Sequence, residues 1–296
     1  MTPAIFVTQI ELSLEKKLEN DLLSQGFILS QPAYTLFQAK KEGLSCTLYQ
    51  SGKLVVQGKN KDDFIAFYLE PEILNTLDYT YPKANEPYSP HIGVDEAGKG
   101  DVFGPLCIAA LYADPDQAAS LIKMGVRDSK SLKDPMIIKI AERIKNECQC
   151  SIVRMFPSRY NELYLQFRNL NHLLAWGHAT AIEELVTKTG CEDVTIDQFA
   201  SSDVVENAVQ KKRISIKLTQ RHRGEEDLIV AGASILARAA FVQGLELLSK
   251  KFEMTLPKGA SSGVIQVGQR FVKTYGAENL KEVSKLHFKT TQSFLS

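Results

Sequence analysis

Val94-Asp95-Glu96-Ala97-Gly98-Lys99-Gly100-Asp101-Val102-Phe103-Gly104-Pro105 is the stretch on which the reading of this chain turns. An apolar strand that opens at His91 runs straight into two adjacent carboxylates. A glycine-rich turn follows, then a second apolar run from Leu106 to Ala113. Carboxylates at a strand end facing a cleft are expensive unless positive charge meets them. Hard carboxylate oxygens suit Mg2+ or Mn2+. Alternation along the strand sends Asp95 and Glu96 to opposite faces, so one of them would reach a metal through water or from the rim. The glycines let backbone N–H groups come close to an anion or a sugar, and Lys99 places a point charge between two of them. Gly98-Lys99-Gly100 lacks the spacer and the Lys-Ser/Thr ending of a Walker A loop, and it is not a dinucleotide fingerprint. A phosphotransferase that binds nucleotide at this loop stays open as an alternative.

Three further signals lie downstream. Val194-Thr195-Ile196-Asp197 is a second short apolar strand ending in a carboxylate. If it neighbours the first in one sheet, Asp197 stands beside Asp95, and the two repel unless a cation sits between them. Arg223-Gly224-Glu225-Glu226-Asp227 opens an Ala-rich helix with three acids, and the residues alone do not say which points inward. Lys211, Lys212, Arg213, Lys217, Arg221 and Arg223 form an acid-free basic stretch, either a phosphate-facing edge or a solvated edge strand. Asp128-Ser129-Lys130 and Lys133 make a polar loop cluster, and Lys258 precedes a Gly259-Ala260-Ser261 nest. About four carboxylates, a divalent metal pair and a basic edge suit phosphodiester hydrolysis by two metal ions. No Ser-His-Asp or Cys-His arrangement competes; His172 and His178 sit in an apolar helix and read as core or interface.

The first third reads as a small α/β unit. Ala4 to Ile10 is a strand, and Leu12, Leu14, Leu18, Leu22 and Leu23 make a helical face ending near Gly26. Tyr34–Ala39, Leu44–Tyr49 and Leu54–Gln57 are strands, and Asp62–Leu74 is helical. Residues 79–90 carry Pro82, Pro87 and Pro90, which forbid regular structure. The expected division is residues 1–80, a linker over 81–90, and a mixed α/β unit over 91–296. That second unit should hold helices over Ile137–Glu147, Tyr160–Thr189 with a break near Asn169–Asn171, Glu225–Phe252 and Gly263–Tyr275. Strands are expected over Ser151–Phe156, Val194–Ile196 and Arg213–Thr219.

The chain has 296 residues, 44% hydrophobic and 24% charged, which sets aside disorder, collagen and coiled coil. Thirty-five basic residues balance thirty-five acidic ones. Net charge therefore excludes binding of nucleic acid by bulk charge but not by a local groove. No apolar run is read as reaching membrane length, and the N-terminus lacks the marks of a secretory signal. Five cysteines match no disulfide framework and point to a reduced cytoplasmic setting.

Several of these segments, in this order, resemble the type 2 ribonuclease H family, and its HIII branch in particular. Asp95-Glu96-Ala97-Gly98-Lys99-Gly100 resembles the family's opening motif in its Lys form. Asp128-Ser129-Lys130-Ser131-Leu132, Ala233-Ser234-Ile235-Leu236-Ala237-Arg238, Leu256-Pro257-Lys258-Gly259-Ala260 and Lys285-Leu286-His287-Phe288 resemble later ones. The likeness spans roughly residues 91–290. It implies a ribonuclease H-like catalytic domain, a mixed sheet with flanking helices, and the first unit is similar to a TATA-binding-protein-like α+β domain. It implies cleavage of the RNA strand of RNA/DNA hybrids, leaving 5′-phosphate and 3′-hydroxyl ends, with a role in removing RNA primers or misincorporated ribonucleotides. It makes Asp95, Glu96, Asp197 and Glu225 the catalytic metal ligands, with Glu226 and Asp227 as rivals of Glu225, and Mg2+ or Mn2+ the cofactor. Gly98, Lys99, Gly100, Ser129 and Lys130 become substrate contacts, the glycine loop reading a ribose 2′-hydroxyl. The expected partner is the hybrid duplex, with no membrane and no organic cofactor, and the chain is expected to act as a monomer. A hybrid-binding protein without catalysis is the second alternative.

Overall fold

A computed structural model of the chain describes residues 5–76, 79, 88–126, 129, 132–221 and 224–295, the side chains of Ser202 and Glu225 apart. Contacts divide it into two units, Met1–Glu86 and Pro87–Ser296. Most of the expected linker, residues 81–87, lies outside the described residues.

In the first unit, β1 (Ile5–Gln9) leads through a 3-10 turn, Leu12–Leu14, into α1 (Glu15–Ser24). Then come β2 (Ile28–Ser30), β3 (Thr35–Lys41), β4 (Leu44–Tyr49) and β5 (Lys53–Gln57). α2 (Lys61–Phe64) continues as a π-helical segment, Ile65–Leu74, where Pro71 has no N–H to give. The sheet runs β1-β5-β4-β3-β2, antiparallel throughout. Leu54 and Val56 alternate inward with Lys53 and Gln57 outward, and meet Leu18, Leu22, Cys46, Ile65 and Leu69 in the core. Leu12 and Leu23, read as part of the helical face, stay half exposed. β2, three residues long, was not anticipated.

The second unit opens with β6 (His91–Ala97) and β7 (Leu106–Ala113), followed by α3 (Pro115–Lys123) and α4 (Asp134–Glu147). β8 (Cys150–Met155), α5 (Pro157–Phe167), α6 (Leu170–Thr189) and β9 (Asp193–Asp197) come next. The expected break between α5 and α6 is there: Arg168 takes a left-handed φ of 51° and the Asn169 side chain caps α6. α7 (Ser202–Lys211), β10 (Lys217–Arg221) and a 3-10 turn, Gly224–Glu226, lead to α8 (Leu228–Lys251). α9 (Ser262–Tyr275) and α10 (Leu280–Val283) close the unit with a final 3-10 segment, Lys289–Phe294.

The sheet order is β10-β9-β6-β7-β8, with β10, β9 and β6 parallel and β7 and β8 antiparallel. β7 is apolar along nearly its whole length because α6 covers one face and α8 the other. α8 is a correction to the expectation about membrane-length segments. It is 24 residues long and apolar enough to span a bilayer by composition, with 89% of its most apolar window buried. Each large apolar side chain it withdraws from water contributes about 1.5–3 kcal/mol. It is the central core helix.

Candidate active site

Two parallel strand ends and the turn entering α8 build the site. Val94 on β6 pairs with Ile196 on β9, so Asp95 and Asp197, one residue on, leave neighbouring strands at the same end of the sheet. Burial, and then the negative charges of Glu96 and Asp197, raise the Asp95 carboxyl, while hydrogen bonds from the Ser234 hydroxyl and the Glu96 N–H oppose the shift. The Glu96 N–H lies 2.8 Å from Asp95 Oδ1. Ser234, on α8, has its Oγ 2.7 Å from Ser129 Oγ. An ionised carboxylate only accepts, so with Asp95 ionised the Ser234 hydroxyl donates to it, and Ser129 and Ser234 share the hydroxyl–hydroxyl bond behind it.

Glu96 points to the other face of the sheet, as strand alternation requires. Its side chain is 8% exposed and lies between two nitrogen groups. His178 Nε2 is 3.1 Å from one oxygen, and Lys99 Nζ donates to the other at 2.7 Å. Burial alone would raise this carboxyl; the hydrogen bond and charge of His178, with Lys99, pull it well below the usual carboxylate range. His178 is fully buried on α6, its ring 4.6 Å from that of Phe199. It therefore belongs to the site, although its sequence context is that of a core residue. Its partner is 82 positions away, and no local pattern marks the pair.

Asp197 Oδ1 accepts the Gly224 N–H at 2.8 Å. A Cβ on Gly224 would fall 2.7 Å from the Asp197 Cα, so only glycine lets the turn sit this close. The turn that carries Glu225 thus starts against Asp197; the Glu225 side chain lies outside the described residues. Glu226 is exposed. Asp227 is committed elsewhere. It caps α8 by accepting from the Ile229 and Val230 N–H groups at 2.9 and 3.1 Å, and both its oxygens lie 3.1 Å from His91 Nε2.

In the glycine loop, Gly98 has φ +87° and a Cβ there would meet the Pro105 carbonyl at 2.3 Å, whereas Gly100 faces open space. Lys99 is half exposed. Asp128 and Lys130 lie outside the described residues. Ser129, read from sequence as a substrate contact, is buried instead. Its hydroxyl turns inward to Ser234 and its carbonyl accepts from Arg238, so it backs Asp95 from behind. Lys258 pairs with Asp134, and in the Gly259-Ala260-Ser261 segment that follows it the Gly259 N–H donates to Asp101 Oδ1 at 2.6 Å.

The basic stretch does not form one edge. Lys211 ends α7, which the sequence reading missed, and Arg213 has a left-handed φ of 56°. That conformation stops the apparent alternation, so only Lys217–Arg221 pairs with β9. Lys212 is tied to Glu183 at 2.7 Å and Lys217 to Asp193 at 3.1 Å. Arg223 lies outside the described residues. Among the described residues no three acids, histidines or cysteines converge into a ready ligand set. Glu96 is held by His178 and Lys99, and Asp197 by Gly224.

A family profile described as ribonuclease HII matches residues 92–291, and one described as a domain of unknown function (DUF3378) matches residues 5–80. Ribonuclease HIII of Protochlamydia amoebophila (strain UWE25) is 53% identical over 290 residues, 98% of this chain and 96% of that relative. Ribonuclease HIII of Chlamydia pneumoniae is 46% identical over 297 residues, 99% of each. The chain belongs to the ribonuclease HIII family. Bst-RNase HIII in complex with Mn2+ matches its structure with a TM-score of 0.68 at 28% identity, over 98% of each chain. Aquifex aeolicus RNase H3 matches with 0.57 at 27%, over 96% of this chain and all of that one. Ribonuclease HIII enzymes are ribonucleases H, endonucleases acting on RNA/DNA hybrids. Membership sets aside both the phosphotransferase and the non-catalytic alternative. The ribonuclease H-like sheet and the small antiparallel first unit agree with the expected fold class.

Proposed function

We propose that this chain cleaves the RNA strand of RNA/DNA hybrids with two divalent cations, Mg2+ or Mn2+, leaving 5′-phosphate and 3′-hydroxyl ends. The observation that carries this reading is the parallel pairing of Val94 with Ile196, which brings the Asp95 and Asp197 carboxylates to the same end of neighbouring strands, where burial and the nearby acids raise the Asp95 carboxyl. Among the described residues no basic side chain pairs with Asp95 or Asp197. An all-oxygen, anion-crowded pair fits a hard divalent ion, and the likeness to Bst-RNase HIII in complex with Mn2+ supports it.

Asp95 and Asp197 would share the metals, with Glu96 and Glu225 completing the set. Bound there, the cations would make water acidic enough to attack and would neutralise charge on the leaving oxygen. The protein's own residues do the rest. Ser129 and Ser234 hold Asp95 in one rotamer. His178 holds one Glu96 oxygen, and Lys99 can release the other and swing to a phosphate. The amides of Gly98–Gly100 meet the ribose 2′-hydroxyl, and Lys130 adds phosphate contact. The first unit grips the duplex by shape and hydrogen bonds.

Incubation of a full RNA/DNA hybrid beside a DNA duplex carrying one ribonucleotide, in Mg2+ and in Mn2+, tests the reading. Cleavage of the hybrid with 5′-phosphate products is expected. An intact hybrid in both metals overturns it.

A further inference from the structure

The glycine-rich loop between β6 and β7 is gripped from outside by the C-terminal segment. Lys285 is fully buried, and its Nζ donates to the Asp101 carbonyl at 2.9 Å and the Gly104 carbonyl at 2.7 Å. The same Nζ lies 5.8 Å from the centre of the Tyr160 ring. The main chain joins in. The Lys285 N–H donates to Val102 O at 2.8 Å, the Gly104 N–H to Val283 O at 3.0 Å, and Phe103 bridges Ser284. From the other flank, Gly259 donates to Asp101 Oδ1 at 2.6 Å and its carbonyl accepts from the Val102 N–H at 3.0 Å.

The loop therefore has two halves. Residues 101–104 are tied on both flanks. Residues 98–100 carry the Asp101 N–H to Gly98 O bond at 3.3 Å; Gly98 is buried against Pro105 and Phe241, whereas the Lys99 and Gly100 backbone is exposed and Gly100 faces open space. The geometry of the open half depends on the clamped half it runs into. A buried lysine is costly for packing alone; a methionine would fill the same volume without desolvating an amine. Burial pushes the Lys285 amine down to about 7, with Asp101 and Cys107 pulling it back up. Charged or neutral, it keeps at least two N–H groups, one for each carbonyl.

We propose that Lys285 is a positioning residue for the reaction, locking the Asp101 and Gly104 carbonyls so that the Gly98–Gly100 amides keep a fixed geometry toward the substrate ribose. This rests on the reading of the glycine loop given under the proposed function. It makes no contact with substrate or metal itself. Misplacement of a substrate-orienting group by about 1 Å can cost about a hundredfold in rate.

The test uses the full chain with Lys285→Met, which keeps the stem and removes the donors, and Lys285→Gln, which keeps a donor on a shorter stem. Steady-state cleavage of an RNA/DNA hybrid in Mn2+ is read beside site-resolved amide hydrogen exchange. For Lys285→Met, kcat should fall by about tenfold or more with KM within about threefold, and Lys285→Gln should recover part of the loss. Exchange at residues 99–104 should speed up while β7 (106–113) keeps its protection. Unchanged kcat and unchanged loop exchange overturn the proposal. So does an unfolded chain, or uniform loss of protection across β6 and β7, in both variants, because Lys285 is then a general core element. A wild-type chain that does not cut the hybrid refutes the proposed function instead, and the exchange comparison still decides the clamp.

Discussion

His178 Nε2 lies 3.1 Å from Glu96 Oε2, joining a fully buried helix residue to a carboxylate at the end of the first strand of the catalytic sheet. Because β6 sends Asp95 to the α8 face and Glu96 to the α6 face, each acid has its own donor, Ser234 for one and His178 for the other. Partners that orient metal-binding carboxylates are typically worth about 10–100-fold in affinity or activity. His178→Phe keeps a ring against Phe199 and removes the donor. Mn2+ affinity and cleavage should both fall in that range, with His178→Gln intermediate. Titration calorimetry with Mn2+ checks this; wild-type affinity in His178→Phe would contradict it.

Lys99 shares the other Glu96 oxygen at 2.7 Å yet is half exposed, so it is free to change partners. Lys99→Met should raise KM for the hybrid and lower the slope of log K against log salt by about 1, the signature of one lost phosphate contact. A fall in kcat at unchanged KM and salt slope would instead assign Lys99 to Glu96 alone.

His91 and Asp227 tie the first strand of the catalytic sheet to the cap of its core helix. Burial alone would lower the His91 imidazole, but the Asp227 hydrogen bond and charge outweigh it and raise it. Burial alone would raise Asp227, and His91 with the helix N–H groups lowers it. A raised histidine stabilises below its ordinary value, near 6.5, and the gain is lost as pH rises through the raised value. A lowered aspartate stabilises above its ordinary 3.8, and the gain is lost as pH falls through the lowered value. The pair therefore contributes most between those two values. The Tm gap between wild type and His91→Gln should be largest near about pH 5.5 and shrink toward about pH 9. A gap that widens with pH would contradict the assignment.

What the sequence revealed and what it hid have physical reasons. Asp95 and Asp197 are legible because each follows an apolar strand, where a carboxylate has no reason to be unless something uses it. The α5–α6 break is legible because Asn169 is a capping residue. His178 is hidden because nothing local distinguishes a histidine bonded to Glu96 from one packed in a core. α7 is hidden because, among its described side chains, only Val205 and Val209 are buried, too short an apolar stripe to mark a helix. β10 is overextended because Ile214, Ile216 and Leu218 alternate, yet the left-handed Arg213 and the pairing partner β9 confine the strand to Lys217–Arg221. The inward turn of Ser129 could not be foreseen, since its partner Ser234 is 105 positions away.

Residues 1–85 carry eight lysines against ten acids, a net charge of −2. Under the proposed function, a first unit of that charge would hold the duplex by shape and hydrogen bonds, with a few lysines such as Lys53 and Lys59, both exposed. Removing residues 1–86 should weaken hybrid binding while the remaining unit, which has its own core, keeps most of the salt slope. Loss of most of that slope would contradict this division of labour.

Under the proposed function, Asp95 serves the chemistry and not the grip. Cleavage and binding of the same RNA/DNA hybrid should be measured for wild type and Asp95→Asn in Mg2+ and Mn2+. Wild type is predicted to cut with 5′-phosphate products, and Asp95→Asn to bind with affinity within about tenfold while losing at least about a thousandfold in rate. Near-wild-type cleavage by Asp95→Asn would contradict the account.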